Sequence, residues 1–161
     1  ADPGDADLSC NRPGRPAQKN VTVQQAADRY LTWFREHRKG IAMAESAVRA
    51  HISPALGDRR LTDLTAADLR AWLDRLATKA ARLRSSKASK KLNLRPAAET
   101  KDEKRARRAS ANRILSVLKA ILNRAFQDGL AADDSAWRKV KPFAKVDDAR
   151  IRYLTVYSDG T

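Results

Sequence analysis

Val23, Ala27, Tyr30, Leu31 and Phe34 recur at the spacing of one helical face, and Gly40 stops the run. Thr22 and Gln25 have the spacing of a capping box, so the first helix starts there. Ala44, Val48 and Ile52 predict a shorter second helix from about Ala42 to Ser53, closed by Pro54 and Gly57. The third helix is the best marked. Thr65 and Asp68 form another box, Leu64 can staple onto Leu69, and Leu69, Trp72, Leu73 and Leu76 line one side. The longest stripe, Ile114, Leu118, Ile121, Leu122 and Ala125, predicts a fourth helix over 110–128 with Gly129 as its C′ residue. A short helical turn is expected over 135–140, before Pro142. Strand-like alternation is confined to 150–156, too isolated for a sheet, so the class is all-α.

The intervals between these stripes set the organisation. Residues 1–20 hold three Pro and two Gly and read as a disordered lead-in. Residues 79–108 read as a long, mobile connection between the third and fourth helices, because Leu83, Leu92 and Leu94 keep no common face. The domain therefore covers 21–143 with 79–108 as an insertion, and 144–161 is a linker. A chain of 161 residues matches one domain plus tails. The single cysteine, Cys10, cannot form an internal disulfide, which points to a reducing cytoplasm. There is no signal-peptide pattern and no initiator Met, so the chain reads as trimmed from something longer. One Cys and the distant His37 and His51 cannot assemble a metal site, and no cofactor motif is present.

Charge changes the picture. The formal net charge is +14, and residues 79–108 carry 12 Lys/Arg against 3 Asp/Glu. So concentrated a positive segment points to nucleic acid before an anionic membrane surface. A membrane partner is disfavoured because no apolar run approaches a spanning length and the basic segment has no apolar face. The polar side of the fourth helix offers Ser110, Asn112, Arg113, Ser116 and Lys119, preceded by Arg105, Arg107 and Arg108. Arg and Asn can read base edges, and a helix N-terminus can donate N–H groups to phosphate. Lys87, Lys90, Lys91 and Arg95 would grip phosphates from the connection. The plainer alternatives are a solvated back face of a core helix and a charged, solubilising insertion. Tyr30, Phe34 and Trp72 lie on buried stripes and read as core, whereas Trp33 lies off its stripe. His37 and His51 read as helix-end or surface residues. No nucleophile and base can be named, so nothing reads as catalytic.

At residues 50–76, "AHISPALGDRRLTDLTAADLRAWLDRL", the order Ile-x-Pro-x-Leu-Gly, Leu-x-x-Leu-Thr, then Asp-Leu and a Trp-containing helix resembles the core-binding domain of tyrosine recombinases, the phage integrase family. "SANRILSVLKAILNRAFQDGL" at 110–130 is similar to that domain's last long helix. "AWRKVKPF" at 136–143 and "ARIRYLT" at 149–155 are similar to the link into the family's catalytic domain. The resemblance spans about residues 21–155. It implies an orthogonal four-helix, SAM-like bundle on double-stranded DNA, with the second and fourth helices meeting the major groove. Those would be the polar sides of Lys39 to Arg49, with Lys39, Ser46 and Arg49, and of Ser110 to Arg124.

The resemblance also implies DNA integration and recombination by a bacterial or phage-encoded parent that assembles as an oligomer on its attachment site. Two features depart from the pattern. The basic segment is longer than the usual connection, and Asp134-Ser135-Ala136 stands where Asn-Pro is common. Family catalysis needs Arg, Lys, a His-x-x-Arg group and a Tyr nucleophile. Neither His is followed three positions later by Arg, and Tyr153 and Tyr157 have no such group beside them. The expectation is a DNA-binding fragment that is not itself an enzyme. A helical RNA-binding or nucleoid-associated protein is the alternative.

Overall fold

The computed structural model describes residues 20–80, 93–96 and 99–146. Within them the architecture is all-α, with six α-helices and no named strand. Helix α1 is Val23–His37, and both hydrogen bonds of its Thr22/Gln25 capping box are made. Gly40, at φ 83°, supplies the left-handed turn into α2, Ile41–Ala47.

The second helix does not end at Ser53 as its apolar stripe suggested. It passes through a π-helical turn, Val48–Ile52, into α3, Ser53–Leu56, which carries Pro54 in its first turn. Proline has no N–H and its ring presses on the carbonyl one turn back, so an ordinary helix would break there. Widening the preceding turn, with the Ser53 N–H bonded to the Val48 carbonyl, lets the rod continue. Gly57 then allows a tight exit, since a Cβ there would lie 2.5 Å from the Ser53 carbonyl oxygen. The strand-like residues at the start of α1 hydrogen-bond to this exit, Val23 N–H to the Arg59 carbonyl at 2.9 Å and Leu61 N–H to Val21 at 2.9 Å.

Helix α4, Ala66–Thr78, begins on Thr65, whose hydroxyl oxygen accepts from the Asp68 N–H. The same hydroxyl donates to the Asp68 carboxylate at 2.8 Å, and this bond, helped by Arg59, holds Asp68 below the usual carboxylate range. Leu69, Trp72, Leu73 and Leu76 are buried as the stripe predicts.

Helix α5 spans Lys101–Gln127, starting well before Ser110. The basic connection therefore ends at Thr100 rather than at Arg108, which corrects the expectation of a loop over all of 79–108. Thr100 and Glu103 make a complete capping box, and Asp102 and Glu103 sit at the positive end of the helix dipole. The acids crowded into 99–103 are thus a helix start. Glu103 accepts from the Thr100 and Glu99 N–H groups, and these bonds lower its pKa. At the other end Gly129, φ 75°, closes a Schellman motif: its N–H bonds to Phe126 and that of Leu130 to Ala125.

The core face of α5 is Ala111, Leu115, Leu118, Ile121, Leu122 and Ala125, with Ile114 half-buried rather than central. It packs along α4 and crosses α1 and the π-turn of the α2 rod. Helix α6, Ser135–Arg138, follows and buries Trp137 against this core. Tyr30 and Trp72 are buried, while Trp33 and Phe34 are half-buried against the same core.

Candidate nucleic-acid interface

The early start of α5 sorts the predicted DNA-binding side chains by helical angle. Arg107 lies four residues before Ala111 and eleven before Leu118, so it shares their inward stripe. Its guanidinium donates to the carbonyls of Leu76, at 3.3 Å, and Lys79, satisfying the C-terminal end of α4. Burial lowers its pKa from the usual guanidinium value. Arg107, expected at DNA, is therefore a clasp between two helices.

A second stripe, Arg108, Asn112, Lys119 and Asn123, is covered by the chain that follows α6. The Asn112 amide nitrogen donates to the Phe143 carbonyl at 2.9 Å, and the Phe143 N–H donates to the Asn112 amide oxygen at 2.8 Å. Both ends of the amide are engaged. Lys119 Nζ donates to the Val140 carbonyl, the Trp137 indole N–H donates to Asn123 Oδ1 at 2.7 Å, and the Arg108 guanidinium lies 5.6 Å from the Phe143 ring centre. Asn112 and Lys119, expected at DNA, accordingly fasten residues 140–143 along α5.

Replacing Asn112 with Ala should destabilise the fold by about 1–3 kcal/mol, since it leaves the Phe143 backbone groups without partners. Hydrogen exchange should show the Phe143 amide losing protection first. Unchanged stability, with a loss of DNA affinity on one sequence only, would restore Asn112 to base reading.

The third stripe of α5 faces α2. Ser110, Arg113, Ile114 and Val117 from α5 meet Met43, Ser46 and His51 from the α2 rod across a groove of about 480 Å3. Three predicted residues, Ser46, Ser110 and Arg113, are thus brought together. The Arg113 side chain is exposed, whereas the Ser110 and Ser116 hydroxyls donate to the carbonyls of Ala106 and Asn112, one turn back on their own helix. Met43 is 67% exposed and was not singled out by sequence reasoning, because it lies off the buried stripe and carries no charge. The π-turn beside the groove is a geometry that recurs at functional sites.

Lys39 lies apart from this groove. It lines a second cleft with Arg38, Tyr30, Trp33 and Phe34, where the Arg124 guanidinium sits 4.7 Å from the Trp33 ring centre. His37 ends α1, stacked on Trp33 at 5.3 Å, with Nδ1 2.9 Å from the Trp33 carbonyl oxygen. Arg49 and Arg95 are exposed, and Arg105 pairs with Asp102 at 3.6 Å. Lys87, Lys90, Lys91, Tyr153, Tyr157, Cys10 and the 150–156 alternation lie outside the described residues. Among the described residues no helix is long and apolar enough to cross a membrane, and no His, Cys, Asp and Glu cluster could hold a metal. Comparison with family profiles, with curated proteins and with solved structures finds no match for this chain.

Proposed function

We propose that this chain is a duplex-DNA-binding module of the tyrosine recombinase kind, a SAM-like core-binding domain that positions a recombinase on its attachment site. The observation that carries the reading is the groove between α2 and α5, which gathers Ser46, Ser110 and Arg113 on two braced helices. The motif order at 50–76 and 110–130 and the charge of +14 support it. In this reading the chain supplies placement. Strand cleavage belongs to a catalytic domain of the same parent, which makes this part non-enzymatic by itself, cofactor-free and cytoplasmic. The parent assembles as an oligomer on the site.

Duplex geometry gives the test. The major groove of B-form DNA admits a helix, whereas that of A-form RNA is deep and narrow. The chain should bind duplex DNA at least about tenfold more tightly than RNA duplex of matched sequence. Arg113→Ala should cost roughly 1–3 kcal/mol on a preferred DNA sequence and less on a scrambled one. Equal affinity for the two duplex types would favour the RNA-binding or nucleoid-associated alternative.

A further inference from the structure

We infer that the groove between α2 and α5 selects thymine, with Met43 and its apolar neighbours receiving the C5-methyl groups exposed in the DNA major groove; this rests on the duplex-DNA reading above.

The groove is lined mainly by apolar side chains, although it lies on a strongly basic chain. Ala42, Met43 and Ala47 form one wall, and Ile114 and Val117 form the other. Met43, 67% exposed, is the most exposed large hydrophobic side chain among the described residues. Nothing in the fold requires it there, since the inward stripe of α2 is met by Ala44, Ala47 and Val48. Along the major-groove edges of the four base pairs, the donors and acceptors are polar and the thymine methyl is the one apolar group. An apolar notch between two groove-facing helices therefore matches thymine and nothing else on those edges. A flexible thioether can follow a methyl through small changes of docking angle.

Charge decides between DNA and an apolar peptide. Among the described residues no carboxylate lines the groove, and Arg113 does. The nearest acid on α2, Glu45, is drawn off by Arg35 at 2.8 Å. An apolar floor beside an exposed guanidinium suits a methyl-bearing base edge flanked by phosphates. The walls are also held firmly, because α5 is anchored through the fully buried Leu118 and Ile121, and the α2 rod through Val48 and Ile52.

The experiment uses the whole chain. Duplexes are selected from a random pool, and the best binder is resynthesised with each thymidine replaced by deoxyuridine, which removes the methyl and leaves the protein untouched. Affinity should fall roughly fourfold for each methyl that the groove buries. Met43→Ala and Met43→Gln should narrow the difference between thymidine and deoxyuridine duplexes, Met43→Gln the more, with unchanged melting temperatures. Equal binding of both duplexes by the unaltered chain, or selection that enriches no thymine, overturns the inference and leaves the DNA reading standing. Failure to bind any duplex overturns the DNA reading itself. Sedimentation without DNA covers the remaining occupant: a dimer that Met43→Gln dissolves would make the groove a contact between copies and overturn the inference.

Discussion

Trp137→Ala should destabilise the fold by about 3–5 kcal/mol, the range for removing a large buried aromatic. Trp137 is only 2% exposed although it sits on a helix of four residues near the end of the described chain. So short a helix has little stability of its own, and the indole ring is what secures it. The substitution would empty its site in the core and also remove the N–H that Asn123 accepts. Val140, fully buried two residues after α6, would lose its neighbour. Urea denaturation should show the whole cost in one transition, because α6 packs on α4 and the ring belongs to the single core cluster. Trp137→Phe keeps most of the volume and should cost clearly less, separating ring packing from the hydrogen bond. A loss below about 1.5 kcal/mol for Trp137→Ala would mean that α6 and the segment after it are dispensable to the core.

Duplex-DNA affinity should fall about 100-fold between 50 and 200 mM monovalent salt if roughly four phosphates are neutralised, and further if the basic connection engages more. Residues 79–108 carry 12 Lys/Arg against 3 Asp/Glu, and from Lys101 onward they form the first turns of α5. Among the described residues, Arg107 is held at the end of α4, Arg108 lies against Phe143 and Arg105 pairs with Asp102. Neutralising Lys87, Lys90, Lys91 and Arg95 together should flatten the salt slope by several units and weaken all sequences alike, since backbone contacts carry no sequence information. Arg113→Ala should change the slope by no more than about one unit while altering sequence preference. An affinity constant across this salt range would count against nucleic acid as the partner.

The same sorting explains why the candidate site was only partly legible in the sequence. Ser110, Asn112, Arg113, Ser116 and Lys119 are alike in being polar and off the core stripe, and composition cannot say which side of that polar arc faces solvent. Residues 140–143 settle it by lying along Asn112 and Lys119, a contact between positions 31 and 21 residues apart respectively. Arg107 misled for a different reason. With the helix begun at Ser110 it belonged to a loop, but with the helix begun at Lys101 it falls on the inward stripe. The Thr100/Glu103 spacing marks that start as clearly as the Thr22/Gln25 pair marks that of α1, but the dense charge around it is also what a solvated loop carries.

The amino-acid order alone determined the all-α class, the starts of α1 and α4, the Gly129 stop and most of the core, because capping boxes, left-handed glycines and apolar stripes act over four to eight residues. Only the tertiary structure decided which polar residues fasten helices together and which remain free to meet a partner. It also carried the second helix past Pro54 through a widened turn. Those outcomes depend on contacts between distant segments, where the burial of Trp137 and Val140 determines which face of α5 is covered and which is left open beside Met43.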